Sequence, residues 1–120
     1  MARRYLIGVD VGTTATKAVL VCEDGRVLAE AAAPSRLIQP APGHVEQDPE
    51  EILQSVLETV ASVVRQAAVE PKEVAAMALD GQMAGLLFID EAWRAVTPYD
   101  SWLDTRCSPY VQRMRTHAQR

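Results

Sequence analysis

The sequence has 120 residues, of which 48% are hydrophobic and 23% charged, a makeup that excludes a disordered or fibrous chain and fits one soluble globular domain. The net charge is −4 and the basic residues are scattered, which argues against a nucleic-acid partner. The apolar run after Arg4 ends at Asp10, too early for a signal peptide or a membrane span. We therefore expect a cytoplasmic protein without a membrane partner, in which Cys22 and Cys107 are reduced and buried as small apolar groups.

Three short apolar segments at the start of the chain predict an antiparallel β-meander. They cover residues 5–10, 15–22 and 26–33, and each is too short to favour a helix. Between the second and third, the pair Asp24-Gly25 predicts a two-residue hairpin loop, because both positions tolerate positive φ.

A proline-rich loop then leads to the best-supported helix of the sequence. Asp48 is a suitable N-cap, Pro49 suits the first helical position and Glu51 completes a capping arrangement. The helix is predicted to end near Val69, before Pro71. Its predicted core face, at spacings of three and four residues, consists of Ile52, Leu53, Val56, Leu57, Val60, Val63, Val64 and Ala67.

The second half of the chain predicts a parallel strand, two shorter strands and a final helix. Residues 74–79 are almost continuously apolar, as in a parallel strand covered on both faces with the preceding helix as its crossover. Residues 86–89 and 96–102 are predicted as short strands. From Thr105 to Arg120 a helix is predicted, with an apolar face formed by Cys107, Tyr110, Val111, Met114 and Ala118.

This order of elements predicts an α/β fold with a mixed sheet, in which a parallel strand follows an antiparallel meander and a crossover helix. It matches, by analogy of fold, an incomplete actin-like ATPase (ribonuclease H-like) domain.

The segment G-V-D-V-G-T-T-A-T-K at residues 8–17 is the candidate phosphate-binding site. Gly12 lets the backbone approach a phosphate, and the amides after it can form an anion-binding concavity. Thr13 and Thr14 add hydroxyl donors, and Lys17 adds a positive charge. Asp10 is favourable beside phosphate if Mg²⁺ or its bound water lies between them. The segment is neither a P-loop nor a G-x-G-x-x-G motif, and taken alone it fits a plain β-turn equally well.

Several further sequence blocks occur together with this segment. D-V-G-T-T-A-T-K is followed by G-H-V-E-Q-D-P-E-E at residues 43–51, G-Q-M-A-G at 81–85 and W-L-D-T-R-C at 102–107. In this order the blocks resemble the signatures of the FGGY carbohydrate kinase family, and the last two are most similar to those of xylulokinases. The resemblance spans almost the whole sequence.

The resemblance implies ATP- and Mg²⁺-dependent phosphorylation of a sugar or polyol hydroxyl. Residues 1–120 would form the N-terminal part of the first kinase domain, with the rest of that domain and a second domain lying outside them. The catalytic Asp base is expected beyond residue 120, so no catalytic base is assigned here and these residues alone are expected to be inactive. A homo-oligomer is left open.

Roles for individual residues also follow from the resemblance. Asp10 would organise Mg²⁺ through water, while Gly12, Thr13, Thr14 and Lys17 would face the ATP phosphates. Among the candidate substrate residues, those at the mouth of the sugar pocket would be Gln82, Met83 and Ala84.

Three residues of the W-L-D-T-R-C block would complete the sugar pocket. Trp102 would form an apolar wall, Asp104 would accept hydrogen bonds from sugar hydroxyls, and Arg106 would brace the site. Xylulokinases usually carry His in place of Ala84 and Asn in place of Leu103, so D-xylulose is not assigned as the sole substrate.

Other interpretations were weighed against a kinase. A non-catalytic actin-like nucleotide-binding module explains D-x-G-T-T but not G-Q-M-A-G or W-L-D-T-R-C, and an interaction domain would bind no nucleotide. Within the block at residues 46–49, helix capping explains Asp48 and Pro49, which favours a structural role for this segment.

Overall fold

The chain is built around one mixed sheet, one long helix and a smaller two-stranded sheet. The computed structural model describes residues 4–118. In chain order its elements are β1 (Tyr5–Val11), β2 (Ala15–Cys22), β3 (Val27–Pro34), β4 (Glu46–Gln47), α1 (Pro49–Ala67), a 3₁₀ turn (Pro71–Glu73), β5 (Val74–Gly81), β6 (Tyr99–Asp100) and α2 (Ser108–Ala118).

The main sheet has four strands in the order β3-β2-β1-β5. β1 pairs antiparallel with β2 and parallel with β5, and β2 pairs antiparallel with β3. The predicted meander and the predicted parallel strand after a crossover helix are therefore confirmed. β4 and β6 form the separate two-stranded sheet, in which Gln47 lies opposite Tyr99.

The hairpin loop between β2 and β3 differs from the prediction. Gly25 has a positive φ of 83°, while Asp24 does not. The Cys22 amide donates to the Arg26 carbonyl at 2.9 Å, so the loop consists of residues 23–25. In three-residue loops only the last position needs the left-handed conformation, which is why a single glycine suffices here.

Helix α1 begins as predicted. The Asp48 carboxylate accepts from the Glu50 amide at 2.9 Å, and Pro49 occupies the first turn. The expected capping role of Glu51 is wrong, because its carboxylate instead pairs with Arg36 at 2.6 Å. The helix ends at Ala67, and Ala68 follows in the left-handed conformation.

The core lies between α1 and the sheet. The buried cluster consists of Ile7, Val9, Ala18, Leu20, Ala29, Val63 and Val69. On α1, Ser55 and Thr59 are buried, whereas Leu53 and Leu57 are 53% and 55% exposed, so their predicted place in the core is wrong. The hydroxyl groups of Ser55 and Thr16 form a hydrogen bond of 2.7 Å, which gives both buried polar groups a partner.

Two other sequence predictions fail, the first of them because α1 packs mainly over β2 and β3. β5 is predicted to be covered on both faces, yet Met77 and Leu79 are 48% and 57% exposed. Residues 86–89 form no strand and make only single antiparallel bridges at Leu86 and Ile89.

The end of the chain also departs from expectation in part. α2 is present, but none of its described residues is buried, and Cys107 just before it is exposed while Cys22 is buried. The predicted continuation of this helix to Arg120 lies outside the described residues. Neither helix within residues 4–118 has the length and apolarity needed for a membrane crossing.

Core packing can be tested with two matched leucine variants. Leu20 is fully buried, and we expect Leu20→Ala to lower the free energy of unfolding by about 2 to 5 kcal/mol. Leu57→Ala should change it by less than about 0.5 kcal/mol, because that side chain is exposed. Urea unfolding of both variants measures the difference. Equal losses would show that the helix is rotated from the orientation described.

Candidate functional site

The turn between β1 and β2, residues 12–14, depends on a close backbone contact. The Gly12 amide donates to the Ala15 carbonyl at 3.0 Å. A Cβ atom on Gly12 would lie 2.8 Å from the same oxygen, a separation that real side chains do not reach. Only glycine therefore fits this position without movement of the backbone.

Ser35 binds two carbonyl groups of the turn and so holds the turn in place. The Ser35 amide donates to the Thr14 carbonyl at 2.9 Å, and its hydroxyl donates to the Gly12 carbonyl at 3.4 Å. Among the hydrogen bonds of residues 4–118, none uses the amide of Thr13 or Thr14 as a donor. The turn thus offers two neighbouring N–H groups to an anion.

Charged side chains lie in a row across the end of the sheet. Asp10 is opposite Lys17 on β2 and opposite Asp80 on β5. Paired residues share one sheet face, and because Val9 is buried on the α1 side, this row lies on the other face. Asp10 and Lys17 border an open depression of about 570 Å³ on that face.

The surroundings of Asp10 are compatible with Mg²⁺. This ion usually takes one or two carboxylates together with substrate phosphates and waters. Asp10 is exposed and lies beside the turn, so its carboxylate is available for such binding. Within residues 4–118 no group of three or more His, Cys, Asp or Glu side chains could hold a metal ion.

The candidate substrate segment, residues 81–85, leaves the sheet at the same edge as the turn. The Gln82 amide donates to the Val11 carbonyl at 3.0 Å. Ala84 has a left-handed φ of 61°, and Gly85 packs so closely on the Tyr99 phenol that a Cβ there would overlap the ring. Met83, which precedes these two residues, is 82% exposed.

A ring of hydrogen bonds joins the turn to this segment. The Gln47 side-chain amide donates to the Thr13 carbonyl at 3.2 Å, and the Gln82 side-chain amide donates to the Gln47 oxygen at 2.7 Å. The Thr13 hydroxyl closes the ring by donating to the Gln82 oxygen at 3.2 Å. The Trp102 indole N–H donates to the same hydroxyl at 2.8 Å. Three separate sequence blocks thus meet at Thr13.

A second polar cluster surrounds Arg106. Its guanidinium contacts Glu46 and Asp104, each at 2.7 Å, and Asp100 at 3.5 Å. The Asp104 carboxylate also accepts from the Val45 amide at 2.7 Å. The Arg106 guanidinium holds the pKa of the Asp104 carboxyl well below its usual range, and the Val45 amide acts in the same direction.

The predicted site residues therefore fall into four groups, the first of which lies at the turn and in the charged row beside it and consists of Asp10, Gly12, Thr14 and Lys17. Thr13, Gln82 and Trp102 are in direct contact, whereas Met83 and Ala84 lie exposed beside them. The Asp104 carboxylate binds Arg106, which leaves little of it for a sugar hydroxyl. Arg106 joins β4 to β6 through Glu46 and Asp100, in agreement with a bracing role.

Comparison with known proteins places this geometry in a family. A family model described as the FGGY family of carbohydrate kinases, N-terminal domain, matches residues 5–120. A xylulose kinase of Bacillus subtilis (strain 168) is 37% identical over 111 residues, which is 92% of this chain and 22% of that protein. A gluconokinase of the same organism is 33% identical over 111 residues, 92% of this chain and 21% of that protein.

The chain belongs to the FGGY family of carbohydrate kinases. A crystal structure of gluconate kinase from Lactobacillus acidophilus superposes with a TM-score of 0.88 at 30% identity, covering 96% of this chain and 23% of that one. The predicted family and the predicted actin-like α/β fold are confirmed. The FGGY chain spans about a fifth of the length of these relatives.

The sequence motifs of this FGGY chain did not indicate that Gln47 is a buried part of the candidate site. It lies in the block whose neighbours Asp48 and Pro49 were explained by helix capping, and it is 1% exposed. No local pattern signals its partners, because they are 34 and 35 positions away along the chain.

The Arg106 cluster makes stability depend on pH. The folded-state pKa of Asp104 is lowered, so the ionised carboxylate stabilises the fold. Its contribution to the free energy of unfolding is present above the unfolded-state pKa of about 3.9 and is lost as pH falls toward the folded-state pKa. We expect Asp104→Asn to lower the urea midpoint at pH 7, and this loss should shrink at pH 3. Asp24→Asn, in the exposed β2–β3 loop, is the control. A loss of equal size at both pH values would contradict the expectation.

Proposed function

We propose that the whole protein containing this chain transfers the γ-phosphoryl group of ATP to a hydroxyl of a sugar or polyol. The observation that carries this proposal is the hydrogen-bond ring, because it joins the candidate phosphate turn at Thr13 to the candidate substrate residues Gln82 and Trp102. Phosphoryl transfer is catalysed largely by positioning and by neutralising charge, so donor and acceptor sites must be held together.

In this proposal the turn binds the ATP phosphates. Gly12 allows close approach of the backbone, and the amides of Thr13 and Thr14 donate to phosphate oxygens. The single proton of the Thr13 hydroxyl is already given to Gln82, so Thr14, which is exposed, is the better hydroxyl donor. Lys17 adds positive charge, and Asp10 holds Mg²⁺ through water. The bound ion would neutralise charge on the phosphates.

The substrate side is formed by residues 82–84 together with Trp102. The Trp102 indole N–H is engaged by Thr13, while the side chain remains 54% exposed and can form an apolar wall. Gln82 also borders a mainly apolar cavity of about 260 Å³, whose polar lining residues include Asp80 and Tyr99. Asp104 acts mainly through Arg106 in this scheme.

The remaining parts of the reaction are assigned to other residues of the whole protein. The chain spans 22% of the xylulose kinase that it resembles, so the proton-accepting base and the adenine pocket are proposed to lie outside residues 1–120. D-Xylulose and D-gluconate are the first sugars to test, given the relatives named above.

Replacement of Asp10 tests the phosphate side of the proposal. In the full-length protein, Asp10→Asn should lower kcat at least about 100-fold, because it removes the carboxylate that positions the metal at the transferring group. Sugar-dependent ADP formation with Mg²⁺-ATP measures the effect.

Asp24→Asn is the matched control, since it makes the same change at the opposite end of β2 and should retain full turnover. Circular dichroism establishes that both variants fold. Full activity of the Asp10 variant, or no sugar-dependent ADP formation by the unmodified protein with any sugar or polyol, would contradict the proposal.

A further inference from the structure

Gln47 is a polar side chain in an environment closed to water. It is 1% exposed and is among the largest fully buried side chains of the described residues. A buried amide without partners is costly, so its hydrogen bonds decide whether the site can hold together.

The orientation of both glutamine side chains follows from their partners. The Thr13 carbonyl can only accept, so the Gln47 nitrogen must face it and the Gln47 oxygen must face Gln82. The Gln82 nitrogen then donates to Gln47, and its oxygen receives the Thr13 hydroxyl proton. The Trp102 indole can only donate, so the Thr13 hydroxyl accepts from it and gives its own proton to Gln82. Reversing either amide would set like groups against each other.

Gln47 therefore contacts both halves of the proposed active site without being open to either ligand. One end of its amide binds the backbone of the phosphate turn, and the other end binds Gln82 of the substrate segment. A change of the turn on nucleotide binding would alter the same bonds that orient Gln82. Hydrogen bonds that share partners in a poorly solvated interior polarise one another, so a change in one of these bonds affects the next.

We propose that Gln47 is a positioning residue that couples nucleotide binding at the turn to sugar binding at Gln82. This inference rests on the proposed function. Coupling between two sites is reciprocal, so a nucleotide should raise sugar affinity by the same factor by which the sugar raises nucleotide affinity.

The experiment measures this factor in the full-length protein. Isothermal titration calorimetry gives the dissociation constants of D-xylulose and D-gluconate with and without the Mg²⁺ complex of the non-hydrolysable analogue adenosine 5′-(β,γ-imido)triphosphate. We expect at least about fivefold tighter sugar binding with the analogue. In Gln47→Met, which keeps the length of the side chain but removes both polar groups, the factor should fall below about twofold.

Two further variants separate coupling from general destabilisation. Gln54→Met makes the same change on the exposed side of α1 and should keep the full factor. Gln47→Glu retains an acceptor for Gln82 but loses the donor to the Thr13 carbonyl, and it should also lose coupling. A purely structural role for Gln47 would lower the unfolding temperature of its variants without changing the factor.

The outcomes are distinct. Loss of the factor in folded Gln47 variants, with the factor retained in Gln54→Met, supports the inference. The inference is overturned by a factor near one in the unmodified protein or by an unchanged factor in a folded Gln47 variant. In either case the kinase proposal still stands if ADP formation depends on sugar. If the unmodified protein binds neither sugar nor analogue and forms no ADP, both proposals are overturned.

Discussion

The arrangement of the site depends on the hydrogen-bond ring formed by Thr13, Gln47 and Gln82. Its members belong to three parts of the chain that meet only after the sheet, the loop before α1 and the segment after β5 have all been placed. Each polar group inside the ring needs the others, because water does not reach Gln47. Completion of the fold and assembly of the site are therefore one event.

The parallel pairing of β1 with β5 provides the geometric basis for this ring. Parallel strands end at the same edge of a sheet, so the turn after β1 and the segment after β5 leave the sheet side by side. The register also aligns Asp10 with Asp80 and with Lys17 on β2. The residues proposed to bind the phosphates and those proposed to bind the substrate thus lie at one edge of the sheet.

The W-L-D-T-R-C block serves two physical purposes. Trp102 contacts Thr13 directly, whereas Asp104 and Arg106 bind Val45 and Glu46 and hold β4 beside β6. Because β4 carries Gln47, this brace fixes the position from which Gln47 reaches the turn. The charged cluster thus acts on the site through the strand beside it.

The sequence by itself determined the meander, the capped start of α1 and the parallel strand, because turn residues, caps and periodicity are local properties of a chain. It also indicated the family, through the resemblance of four sequence blocks to the signatures of that family. Tertiary structure alone decided that Leu57 is exposed, that residues 86–89 form no strand and that Gln47 is buried between Thr13 and Gln82. These features depend on which distant groups meet. Ser55 faces the sheet because Thr16 offers it a buried hydrogen-bond partner, and the partners of the Gln47 amide are likewise distant along the chain.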